Sequence, residues 1–202
     1  TAQFQNGASI TNNNTFGLLV PGNYALNWTL GGVVANGNGP VFTISGATNS
    51  DLVQGLTMSG VLSGGATSGV ILSKQGAGTL ELTNAANTFG GTGAIIDVTG
   101  GILSGVCNGS FGNAGNVIRL SANSLTQGVR FAGGTSYTLT GRTINLNAAS
   151  SGIDVTVGTV ATLDTPFTYS AVGNALQKND NGVLGFSSGV DNTLLTGAWT
   201  VS

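Results

Sequence analysis

The chain has 202 residues, of which 35 are Gly and 3 are Pro; 40% are hydrophobic, only 6% are charged, and the formal net charge is −2 with no histidine. This carries too much apolar weight for a disordered chain and too few strong helix formers for a helical bundle. The five cations, Lys74, Arg119, Arg130, Arg142 and Lys178, are dispersed, which argues against nucleic acid and anionic lipid as partners, and no apolar run approaches the roughly 18–20 residues of a membrane-spanning helix.

The predicted elements are short strands. Residues 1–14 hold one alternating segment through Phe4, Ala8 and Ile10, ending at the turn signal Asn12-Asn13-Asn14. An apolar run over 16–20 stops at Pro21-Gly22, and Tyr24, Leu26, Trp28 and Leu30 then alternate up to Gly31-Gly32. These aromatics make residues 1–40 bulkier than the rest, as expected of an N-terminal capping or junction region. Strands are expected next at 41–44, 52–53, 56–58, 61–62 and 70–72, separated by only a few residues each. The stretch 72–103 reads as strands near 80–82, 95–98 and 102–103, with Gly-, Asn- and Thr-rich corners too short for helices.

Cys107 follows at a strand end beside Asn108-Gly109. As the single cysteine it excludes an intramolecular disulfide framework, and without histidine the chain lacks the usual base for a catalytic thiol. It is expected to be a small, half-buried hydrophobe, with an intermolecular bridge or a reactive thiol as the alternative. Strands continue at 117–120, 129–131, 137–139, 144–146, 153–157 and 160–163, with turns at Gly133-Gly134, Ser150-Ser151-Gly152 and Asp164-Thr165-Pro166.

An internal repeat orders this array. A shift of 104 residues places Leu72 and Lys74 on Leu176 and Lys178, Gly78, Leu80 and Leu82 on Gly182, Leu184 and Phe186, and Ala94 on Ala198. Repeats of this kind indicate stacked supersecondary units. If that pitch holds five turns of about 20 residues, the chain is one all-β solenoid domain over 1–202, a parallel β-helix of roughly nine to ten coils and about 45 Å long at about 4.8 Å per coil. Repeat units lie near 72–103 and 176–202.

The run Leu72-Ser-Lys-Gln-Gly-Ala-Gly-Thr-Leu-Glu-Leu-Thr, followed by Ala86-Asn-Thr-Phe-Gly-Gly-Thr92, resembles the autotransporter-associated β-strand repeat, also called the passenger-associated transport repeat. Segments 111–118 and 152–155 are similar to those that commonly follow it. The resemblance implies a right-handed parallel β-helix exported to the bacterial surface or beyond. The copy at 176–202 departs from the pattern, with Asn179-Asp180-Asn181 before Gly182 and no Gly-Gly after the loop. No basic start with an apolar core stands at Thr1, so any signal peptide is expected upstream or already removed.

Because many parallel β-helices degrade polysaccharides, the acids need testing. Asp51, Glu81, Asp97, Asp154, Asp164, Asp180 and Asp191 are spread along the chain, whereas glycoside hydrolysis uses two carboxylates about 5–10 Å apart. Coil stacking offers one route to a pair, Asp154 beside Asp180 or Asp164, but scattered, turn-capping carboxylates are the favoured reading. Gly76-Ala77-Gly78 and Gly90-Gly91-Thr92-Gly93 lack the Lys-Ser/Thr and helix of a phosphate loop. No catalytic, cofactor-binding or metal-ligating residue is assigned, and the chain is expected not to be an enzyme. Asn and Thr at equivalent turns are expected to hydrogen-bond along the stack as ladders.

The second unit stops at Ser202 before its last strand, so an open coil edge is expected there, and open edges pair readily with other chains. The function expected is an extracellular or bacterial cell-surface structural or adhesive β-solenoid, self-associating end to end as a filament subunit, with surface glycans as further partners and no membrane insertion. The alternative is a carbohydrate-binding or carbohydrate-active β-helix, for which Tyr24, Trp28, Tyr137 and Tyr169 are the sugar-stacking candidates.

Overall fold

In the computed structural model of the chain, residues 55–170, 173–192 and 197–202 are described, the Trp199 side chain excepted, together with the backbone of the strands at 2–4, 9–12, 26–28, 32–34 and 41–44. The predicted strands at 16–20 and 52–53, and with them Tyr24, Asp51 and most of the 1–40 region, lie outside the described residues.

The described chain is all-β apart from one short 3-10 turn, and it winds as a solenoid. Strand β1 (Ala2–Phe4) precedes a first coil of β2 (Ser9–Asn12), β3 (Leu26–Trp28) and β4 (Gly32–Val34). The second coil is β5 (Val41–Ile44), β6 (Gly55–Met58) and β7 (Leu62–Gly64). Two coils of two strands follow, β8 (Gly69–Gln75) with β9 (Thr79–Leu82), then β10 (Ala94–Val98) with β11 (Ile102–Gly105). After the 3-10 turn η1 (Asn108–Phe111), three-strand coils resume with β12 (Val117–Leu120), β13 (Gly128–Phe131) and β14 (Ser136–Leu139). The next are β15 (Ile144–Leu146), β16 (Ser150–Val155) and β17 (Val160–Leu163), then β18 (Thr168–Tyr169), β19 (Ala175–Asn179) and β20 (Val183–Phe186); β21 (Trp199–Val201) stands beyond them.

Each strand pairs in parallel with its counterpart one coil away, so the coils have three sides. The first side stacks β2, β5, β8, β10, β12, β15 and β18; the second stacks β3, β6, β9, β11, β13, β16, β19 and β21. The third side holds β1, β4 and β7 in one sheet and β14, β17 and β20 in another. Seven strands on the first side make six steps and eight on the second make seven, so the solenoid makes about six turns, not nine to ten, and spans about 29–34 Å rather than about 45 Å. The reason lies in the coil length. Leu80 pairs with Leu103, Leu103 with Val129 and Val129 with Ile153, steps of 23, 26 and 24 residues, and Ser9 pairs with Val41, a step of 32.

Apolar residues that alternate along each strand become columns inside the rod. Leu72, Ile96, Ile118 and Ile144 are in register on the first side, and Leu80, Leu103, Val129 and Ile153 on the second, all essentially inaccessible to solvent. Between the two sheets of the third side, residues 83–93 and 106–116 cross without forming strands. Phe89 and Phe111 fill the core there, and Phe111 meets Phe131 edge to face at 6.1 Å.

Among the described residues the loop asparagines Asn87 and Asn116 do not stack as a ladder of like side chains; they bridge coils through the backbone. Asn87 accepts from the Leu62 N–H one coil back and donates to the Ser110 carbonyl one coil on, both at 2.8 Å. Asn116 accepts from the Gly91 N–H at 3.0 Å and donates to the Phe89 and Phe111 carbonyls at 2.9 Å. In a loop with no strand neighbour, these two amides replace the ladder bonds that a buried backbone requires.

Candidate functional site

Five charged residues lie in two register columns along the rod, Asp97 and Arg119 on the first side and Glu81, Arg130 and Asp154 on the second. On the first side Ser73, Asp97, Arg119, Asn145 and Thr168 are successive register partners. Arg119 grips Asp97 with Nε to Oδ1 at 3.1 Å and Nη2 to Oδ2 at 2.6 Å, and the Ser121 hydroxyl adds a bond to Oδ1 at 2.6 Å. On the second side Thr57, Glu81, Ser104, Arg130, Asp154 and Asn179 follow one another in the same way. Arg130 donates through Nε to Asp154, and both residues are buried. Burial raises the Glu81 carboxyl above its ordinary range, opposed by the Ser104 hydroxyl 3.4 Å away.

The expected turn-capping role holds for two acids and fails for others. Asp164 accepts from the Gly141 N–H at 2.9 Å and Asp180 from the Asn181 N–H at 2.6 Å, whereas Asp97 and Asp154 are strand residues paired with arginines. Coil stacking sets Asp154 in register with Arg130 and Asn179. Among the described residues no group of three or more His, Cys, Asp or Glu side chains is placed to hold a metal ion.

Two buried cations act as internal fasteners. Lys74 stands in an inner column, in register with Val98, and is wholly inaccessible. Its three N–H donors go to the carbonyls of Gln75 at 2.8 Å, Gly76 at 2.8 Å and Gly100 at 2.9 Å, which ties the corner after β8 to the corner one coil on. Burial pushes its pKa down to about 7. Arg142 is equally enclosed: its guanidinium donates to Asn108 Oδ1 at 2.9 Å and to the carbonyls of Asn108, Phe111 and Gly112 at 3.1 Å. It also lies 5.5 Å from the centre of the Phe111 ring, and burial lowers its pKa to about 10. Cys107 precedes η1 as a free, half-buried thiol 3.5 Å from the Ser110 hydroxyl.

The sugar-stacking candidates are not gathered on one described face. Tyr137, on the third side, and Tyr169, on the first, each pack part-buried against the apolar core, and the Tyr137 hydroxyl donates to the Gly105 carbonyl at 3.3 Å. Trp28 is described only by its backbone, in register with Met58, and Tyr24 lies outside the described residues.

The second-side column that buries Leu80, Leu103, Val129 and Ile153 to 3% exposure or less continues through Lys178 to Val201, which is 77% exposed. On the third side Phe186, in register with the buried Leu139 and Leu163, is 37% exposed, while Val183 continues the outward column of Ser136 and Val160. Among the described residues no strand pairs with the outer edges of β18, β20 or β21.

No known protein family, curated protein or solved structure matches this chain.

Proposed function

We propose that this chain is a non-enzymatic structural β-solenoid of the bacterial surface or extracellular space, a filament subunit that associates end to end. The observation that supports the reading is the uninterrupted stack of parallel strands, seven on the first side and eight on the second, over one continuous apolar core. The charged residues support it from another direction: Arg119 and Arg130 join neighbouring coils, while Lys74 and Arg142 bind backbone carbonyls. Such groups tie one coil to the next. The surface or extracellular location rests on the resemblance of residues 72–92 to the autotransporter-associated repeat. Electron microscopy of the purified chain tests the proposal: fibres one solenoid wide are expected, and particles that remain single at high concentration would refute it.

A further inference from the structure

In a solenoid each coil ordinarily touches only its immediate neighbours. The loop 121–127, between β12 and β13, reaches further. It begins as an ordinary corner, with the Ser121 and Ala122 N–H groups donating to the Val98 carbonyl one coil back and Gln127 Oε1 accepting from the Gly101 N–H at 3.0 Å. It then turns toward the coils that follow. The Ser124 N–H donates to the Ser150 carbonyl at 3.2 Å, Asn123 Oδ1 accepts from the Ser150 N–H at 3.1 Å, and the Gln127 carbonyl accepts from the Gly152 N–H at 3.1 Å. The Leu125 carbonyl goes one coil further and accepts from Asn179 Nδ2 at 2.8 Å, a bond across 54 residues.

The loop lies over the outer face of the second side. Val129, Phe131, Ile153 and Val155 belong to the core, so alternation turns Arg130, Gly152 and Asp154 outward. A Cβ at Gly152 would stand 2.6 Å from the Leu125 carbonyl oxygen and 2.8 Å from that of Gln127. The missing side chain is what lets the loop close on the sheet. Although they point outward, Arg130 is only 4% exposed and Asp154 9%. Asp154 is bracketed by the two places where the loop is held, Gly152 on its own strand and its register partner Asn179 one coil on.

We propose that residues 121–127 are a latch: closed on Asn179, it makes the coils of β13, β16 and β19 open as one unit and keeps water from the Arg130–Asp154 pair beside it. Released, it lets the coil of β19 open alone. The latch lies within the rod and acts whether or not the chain forms fibres.

Native-state hydrogen exchange on the full chain tests the latch. The amides of Ser124 and Gly152 and those of β13, β16 and β19 are expected to exchange through one shared opening; separate openings, coil by coil, would overturn the proposal without any variant. Asn179→Ala removes the donor to Leu125 and is expected to speed exchange several-fold at Ser124 and Gly152, and to speed it more in β19 than in β13. Asn145→Ala, which breaks a bond between adjacent coils on the first side, is the control and should leave exchange at Ser124 unchanged. If Ser124 exchanges in Asn179→Ala as it does in the unmodified chain, residues 121–127 are an ordinary loop and the latch is wrong.

Discussion

Lys74 and Lys178, 104 residues apart in the repeat, hold the same place in a corner yet lie on different sides of the solenoid. Lys74 is the penultimate residue of β8 on the first side and bonds the Gly76 carbonyl; Lys178 is the penultimate residue of β19 on the second side and bonds the Asp180 carbonyl. The residue two after each lysine has positive φ, 73° at Gly76 and 63° at Asp180. What repeats is therefore a corner fastened by an inward lysine, not a coil.

Replacing that fastener exposes its worth. In Lys74→Met the carbonyls of Gln75, Gly76 and Gly100 lose their shared donor, and stranded buried acceptors cost about 1–3 kcal/mol each at most. Partial relaxation leaves an expected loss of about 2–4 kcal/mol in urea unfolding. Lys178→Met, at a partly buried site, should lose less.

The same lysine makes stability depend on pH. Its folded pKa is lowered to about 7 from 10.5, so between these values the unfolded chain holds a proton that the folded chain has released. Stability should then rise with pH from about 7 towards 10.5, by up to about 1.4 kcal/mol per unit, and be lost again on acidification to about 7. Urea midpoints across this range measure it, and the Lys74→Met chain should lose that slope.

The coil-bridging amides are the next weak points. Asn116→Ala removes an acceptor from the Gly91 N–H and a donor from two buried carbonyls, an expected loss of about 2–3 kcal/mol. Asn145→Ala, whose bond to the Thr168 hydroxyl is exposed, should change stability by about 0.5 kcal/mol or less. Thermal unfolding of the two variants side by side decides the point.

One glycine is fixed by contact as well as by conformation. Gly101 has φ 65°, and a Cβ there would lie 2.3 Å from the Gly78 carbonyl oxygen and 2.6 Å from Lys74 Nζ. Gly101→Ala should cost at least about 2 kcal/mol. Gly69→Asn, at φ 75° with open space around the site, should cost about 1 kcal/mol or less, since asparagine tolerates this region.

Alternation and corner chemistry made the strands legible: 80–82, 95–98 and 102–103 are the cores of β9, β10 and β11. The coil count was not legible, because the 104-residue repeat matches corners at different phases of the winding, and because loops 83–93 and 106–116 take up chain without adding strands. The Arg–Asp pairs were equally hidden: Asp97 and Arg119 lie 22 residues apart, Arg130 and Asp154 24 apart, and only the register reveals them as neighbours. The roles of Asn87 and Asn116 leave a faint signal, since both stand close to a buried phenylalanine in a glycine-rich loop. Nothing in the sequence distinguishes the enclosed Arg142 from an exposed arginine.

X-ray diffraction from oriented fibres of the purified chain tests end-to-end stacking most directly. A solenoid continued from copy to copy sets its strands across the fibre and should place a reflection near about 4.8 Å along the fibre axis, with a fibre width of one solenoid. Fibres with that spacing across the axis, or a chain that forms no fibres at any concentration, would contradict the account.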